Sequence, residues 1–276
     1  MSVRIVVDSS CDLIPALRER VRIVPLTVHF GEEEYIDGVT LTAAEFYEKL
    51  VASKVNPTTS QATPFAFGEV FEELVNAGDE VVCITCSSGL SGTFQSARIA
   101  AGDFDGKVHV VDSQNIALSS AILAQYGLDL VDAGKSAQEI AEELTAVSGK
   151  AHLFAVVDTL EYLQRGGRVS KTVAIAGGML SIKPIIGVVN GKVEMVGKAR
   201  GNKGANRQMN QEVEKLGIDL TKPVLLGYTG TDDSLLKKYM EECGDFWPAN
   251  TPVTVVSGVV GAHAGPGAVA IAFFAK

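Results

Sequence analysis

The stretch that decides the fold is Glu80-Val81-Val82-Cys83-Ile84-Thr85, followed by Ser87-Ser88-Gly89-Leu90-Ser91-Gly92-Thr93. A short β-branched run leads into a Gly/Ser turn. A helical pattern then runs to about Ala101, and Val108 to Asp112 is strand-like again. Parallel neighbours in a sheet need a crossover, usually a helix, so this order predicts a parallel sheet with helices on its faces.

Working outward, the same rhythm fills the first half. Val3 to Val7 is a strand ending at Asp8-Ser9-Ser10, and Val21 to Phe30 is a second run ending at Gly31. Thr42 and Glu45 form a capping-box pattern for a helix to Ala52. Asn56 to Pro64 reads as a Thr/Ser loop, Phe65 to Ala77 as a helix, and Asn115 to Ala133 and Ala137 to Val147 as two more.

The second half differs. Leu153 to Val157 is a strand and Val173 to Leu180 a short helix. Pro184 to Val189 and Lys192 to Lys198, split by Asn190-Gly191, predict a hairpin with a type I′ turn. A helix from Ala205 to Leu216 follows, then strand Val224 to Gly227, helix Ser234 to Glu242, strand Val253 to Val256 and strand Ala268 to Phe274. The expected fold class is α/β with two domains. Residues 1–155 form a parallel α/β/α domain and 156–276 a mixed-sheet α+β domain.

The 276 residues are 46% hydrophobic and 21% charged, an ordinary globular composition. A net charge of −9 argues against general nucleic-acid binding, which needs a basic footprint. The charge is uneven. Arg165 to Arg207 holds nine Lys/Arg and one acid, a local +8 that leaves −17 on the rest. Four cysteines are too few for a disulfide framework, and no signal peptide or membrane-length apolar run is visible, so the expected compartment is the cytoplasm.

Several signals fail on inspection. Cys83 and Cys86 match C-x-x-C, but on a strand residues three apart face opposite ways. Gly134-Lys135-Ser136 lacks the first P-loop glycine, since position 129 is Asp129. Gly265 to Ala270 fits a loose G-x-G-x-x-A but has no room for a βαβ unit. His29, His109, His152 and His263 show no metal spacing. No metal and no cofactor are expected.

Three loops share a chemistry: Pro57 to Gln61, Ser87 to Thr93, and the glycine-rich Gly261-Ala262-His263-Ala264-Gly265-Pro266-Gly267. The first two offer hydroxyls and free N–H groups at helix starts, where carboxylate or phosphate binds. Simple helix capping explains either one alone. Gly89-Leu90-Ser91-Gly92-Thr93 nearly meets the nucleophile elbow G-x-S-x-G, with Thr93 in the fifth place. A serine hydrolase or acyl-transferase using Ser91 and His263 is the alternative, and no orienting acid is identifiable for it.

At these residues the sequence resembles the DegV family of bacterial fatty-acid-binding proteins. The resemblance runs nearly end to end. It rests on Val7-Asp8-Ser9-Ser10-Cys11-Asp12-Leu13, Pro25-Leu26, Tyr35-Ile36-Asp37-Gly38, Thr58-Thr59-Ser60-Gln61 and Ser88 to Thr93. It continues with Leu163-Gln164-Arg165-Gly166-Gly167-Arg168, Lys183-Pro184, and Gly261, His263 and Gly265-Pro266-Gly267. The resemblance implies a long-chain fatty acid in a tunnel between two domains, with its carboxylate near Thr59, Ser60, Ser91 and His263. Gly92 joins them as a backbone donor on physical grounds. It also implies a non-catalytic carrier serving a separate fatty acid kinase that makes acyl-phosphate for phospholipid synthesis. The +8 segment, with Arg168 and Arg200, is then the expected docking face for that kinase. Burying the roughly 15 methylene and methyl groups of a C16 chain is worth on the order of 12 kcal/mol before costs. The head group therefore needs partners mainly to avoid a buried unpaired carboxylate, and mostly neutral donors are expected to hold both acid and acyl-phosphate.

Overall fold

The structure is a computed structural model, and it describes residues 2–169, 181–243, 246–248 and 250–276. The expected helix Val173–Leu180 lies outside the described residues. In chain order the first half carries β1 (Val3–Asp8), β2 (Arg22–Val24), β3 (Thr27–Phe30), β4 (Glu33–Ile36), β5 (Thr58–Ser60), β6 (Glu80–Thr85) and β7 (Val108–Asp112). The second carries β8 (Ala151–Val156), β9 (Ile182–Val189), β10 (Lys192–Arg200), β11 (Leu225–Tyr228), β12 (Val253–Val255) and β13 (Val269–Phe274).

The fold is α/β with a parallel sheet and a mixed sheet. Strands β2-β1-β6-β7 form the parallel sheet, and β10-β9-β8-β13-β11-β12 the mixed one. Among the described residues of the mixed sheet, only β11 and β12 run parallel. The sheet changes at β8, so a division drawn there would fall before Ala151 rather than after Ala155.

A third, three-stranded antiparallel sheet, β4-β3-β5, was not anticipated. The run Val21 to Phe30 is two strands in two sheets, not one. Pro25 stands between β2 and β3, and a residue without an N–H breaks the ladder there. The Thr/Ser stretch Thr58–Ser60 is strand rather than loop because β3 supplies its pairing.

Helix Ala117–Asp132 joins the two large sheets. Its residues Ala117 to Ala124 are all buried, and it packs on β1 and β6 on one side and β8, β11 and β13 on the other. That half of the helix, buried all round, belongs inside a core, not on a face of it. The hairpin β9–β10 turns as expected: Asn190 and Gly191 have φ of 49° and 74°, as a type I′ turn requires. Ser136, the last residue of the false P-loop, caps helix Ala137–Val147 through a capping box with Glu139.

Candidate functional site

A cavity of about 390 Å³ opens between the start of helix Ala117–Asp132 and the inner face of the mixed sheet. That is the size range of small-molecule sites. Its floor is made by strands. Ala155 on β8 faces Ala270 on β13 across the ladder, and both line the cavity. Two opposed alanines leave space where larger side chains would fill it. Leu153, Ile186, Val193 and Val256 complete an apolar wall, with Ile116 just before the helix and Leu118 in its first turn.

The mouth is polar and comes from strand β5, the Ser91 loop and the short helix Gly258–Ala264. On β5 successive side chains alternate in direction. The Thr59 hydroxyl lies 2.9 Å from His263 Nε2, while the Ser60 hydroxyl is paired with His29 Nε2 at 2.9 Å. Ser91 Oγ accepts the Thr93 N–H at 3.2 Å and lies 2.9 Å from the Thr93 hydroxyl. Gly92 packs on the Gln61 side chain so closely that a Cβ would overlap it.

His263 sits in the last turn of helix Gly258–Ala264, not in a glycine-rich loop. The glycines serve close packing. A Cβ on Gly258 would come within 2.9 Å of the Phe46 ring, and one on Gly261 within 2.5 Å of the Tyr47 hydroxyl. Two buried carboxylates hold the helix start. Asp12 accepts the Ser257 N–H at 2.8 Å, and Asp37 accepts the Val259 N–H at 3.2 Å. Anions suit that end of a helix. Burial nevertheless pushes Asp12 up to about 8 and Asp37 up to about 6.

Burial, and then the nearby Arg168 charge, pull His263 down to about 4, so its ring is neutral at neutral pH. Its Nδ1 is buried without a partner. Arg168 donates to the Gly166 carbonyl at 2.6 Å and to the Leu90 carbonyl at 3.3 Å, which ties the Arg-Gly-Gly-Arg turn to the Ser91 loop.

The family model described as "Uncharacterised protein, DegV family" matches residues 2–276. The chain belongs to the DegV family. A DegV domain-containing protein of Deinococcus radiodurans is 34% identical over 99% of this chain and 98% of its own length. The solved structure titled "Fatty Acid Binding of a DegV family Protein from Thermus thermophilus" is 31% identical, covers both chains fully and has a TM-score of 0.88. The Streptococcus pneumoniae Fatty Acid Kinase (Fak) B3 protein, loaded with linoleic acid, is 24% identical over the full length of both chains with a TM-score of 0.87, and shares the fold.

In this DegV chain all five expected ligand residues, Thr59, Ser60, Ser91, Gly92 and His263, line the one cavity. Arg168 lines it too, whereas Arg200 stands exposed at the end of β10. Ser60 turns its hydroxyl to His29, so its contribution to the cavity is not that hydroxyl. Sequence reasoning missed Gln61 as a lining residue, and missed Asp12 and Asp37 as the anchors of the His263 helix. Asp12 and Asp37 stood inside quoted motifs, yet only the fold brings them to one helix. Cys86 also lines the cavity, but burial and the neighbouring Asp8 push its thiol well up, away from nucleophilic use.

The arrangement lacks the relay of a serine hydrolase. Ser91 is bonded to Thr93, His263 to Thr59, and His263 Nδ1 has no carboxylate to orient it. Among the described residues, no group of three or more His, Cys, Asp or Glu is placed to hold a metal ion, and no helix is long and apolar enough to cross a membrane.

Proposed function

We propose that this DegV protein is a cytoplasmic carrier that buries a long-chain fatty acid and presents its carboxylate to a separate fatty acid kinase. The observation that carries this reading is the cavity itself: an alanine-floored apolar space ending in hydroxyl and neutral imidazole groups. The chain lies along β8, β13 and the start of helix Ala117–Asp132. The carboxylate meets Thr59, Ser91, His263 and the backbone at Gly92. The protein performs no chemistry alone. Arg168 and Arg200 belong to the face that meets the kinase, with Arg168 reaching from that face into the site. The two halves act as domains whose seam is the tunnel.

The fatty-acid binding named for the Thermus thermophilus relative supports the ligand, and the Fak B3 name of a protein with this fold supports the kinase. The hydroxyl and imidazole groups prevent an unpaired buried carboxylate, and the Arg168 guanidinium that lines the same cavity is held by the Gly166 and Leu90 carbonyls. Native mass spectrometry of freshly purified protein tests the reading. The expected result is an added mass equal to one fatty acid, retained until organic extraction. An empty protein that hydrolyses esters through Ser91 would overturn it.

A further inference from the structure

A second cavity, about 370 Å³, lies beside the first and shares three wall residues with it: Thr59, Arg168 and His263. Its other walls include Asn56, Tyr162, Arg165 and Gly166. Among the described residues that line it there are two guanidinium groups and no carboxylate. Arg165 is fixed there by Asn56 Oδ1, which accepts from it at 2.5 Å, and by an ion pair with Glu161. That pair is exposed and therefore weak, so the guanidinium can change partners at little cost.

His263 points the same way. Its Nε2 is occupied by Thr59, and its partnerless Nδ1 lies against Gly166, a wall of the second cavity that the first does not share. Either atom can donate in the Thr59–Nε2 bond, and the protonation of Nδ1 follows from which one does. A Cβ on Gly166 would overlap that ring.

An acid held with its chain in the apolar cavity has its carboxylate at this shared wall. Anything bonded to that carboxylate must lie on the side away from the chain. In phosphorylation a carboxylate oxygen bonds the γ-phosphorus of a nucleoside triphosphate. The bond to the nucleoside diphosphate breaks, and the diphosphate leaves with the electron pair. The carried group then bears about two negative charges in place of one, with three strong acceptor oxygens. Hydroxyls and the shared Arg168 serve the acid, but the product calls for a second guanidinium group, which only the second cavity supplies.

We propose that the second cavity is a phosphoryl subsite that holds the acyl-phosphate product, with Arg165 as its dedicated cation. The inference rests on the carrier reading above. It revises the expectation that one set of neutral donors holds both species: acid and product share the wall, and the product gains a room of its own.

The test compares palmitate with 2-oxoheptadecylphosphonate, in which CH2 replaces the labile bridging oxygen, by displacement of a fluorescent fatty acid. Wild type is expected to bind both. Arg165→Ala should weaken the phosphonate about tenfold and palmitate less than twofold, and Arg165→Lys should recover part of the loss. Equal effects on both ligands, or no effect on the phosphonate, would overturn the subsite while leaving the carrier standing. Failure of wild type to bind palmitate would overturn both. Arg165-dependent binding of ATP to lipid-free protein would assign the cavity to the donor nucleotide and overturn the product assignment.

Discussion

The floor and the mouth of the cavity are built by opposite means. The floor is regular: paired strands set Ala155 against Ala270, and the space follows from what those residues lack. The mouth is assembled from distant loops and a short helix, and works through the polar atoms it brings together, as when Thr59 meets His263 across 204 positions. The comparison teaches that affinity and recognition are separable here. On the carrier reading proposed above, methylene burial at the floor supplies most of the binding energy, while the mouth decides which head group is tolerated.

Filling the floor should have the largest effect. Ala270→Phe is expected to exclude three or four methylenes, roughly 3 kcal/mol or a hundredfold in palmitate affinity, with the circular dichroism spectrum unchanged. Unaltered affinity in a titration would show that the chain does not lie on β13. At the mouth, His263→Ala should cost less. Losing one partner of a buried carboxylate is worth about 1–2 kcal/mol, roughly a tenfold rise in palmitate Kd. A loss as large as that of the floor variant would remove the distinction between the two regions.

The mouth also carries a pH signature, with opposite signs at the two ends of helix Gly258–Ala264. Asp12 and Asp37, raised from 3.8 to about 8 and about 6, hold protons in the folded state that the unfolded chain releases. Their contribution to stability is complete below about pH 4 and is lost as pH rises through 6 and 8. His263, lowered from 6.5 to about 4, works the other way: stability falls as pH drops from 6.5 towards 4, where the unfolded chain takes up the proton first. Between pH 5 and 8, Tm of Asp12→Asn should therefore fall less steeply than that of wild type. Parallel melting curves across that range would refute the assignment.

The smallest change is expected for Ser91→Ala. Its hydroxyl already serves Thr93 at the helix start, so the loss should appear as about 1 kcal/mol of stability and no more than about threefold in palmitate affinity. A loss matching that of His263→Ala would make Ser91 an equal head-group ligand.

The mouth was the legible part in sequence. Ser91, Thr59 and His263 fall in stretches that read as loops and whose residue types announce anion chemistry, and the Asn190-Gly191 turn fixes its own geometry. The floor was not legible, because Ala155 and Ala270 look like any small core residues until the ladder pairs them. Thr58–Ser60 read as a loop for a related reason: three polar residues carry no periodicity, and their strand character is supplied by β3. Gly261 argued for a loop locally, and Gly258 stands just before it. Close packing on Phe46 and Tyr47 makes them helical instead, which is a tertiary effect.

The position of β13 has a consequence for the order of assembly. It is the last strand of the mixed sheet to be synthesised, yet it lies at the centre, between β8 and β11. Until it emerges from the ribosome, β8 to β10 and β11 to β12 are two fragments with no common ladder, each with an exposed edge. The helix bearing His263 precedes β13 by only a few residues. Floor and mouth are thus completed together in one late event.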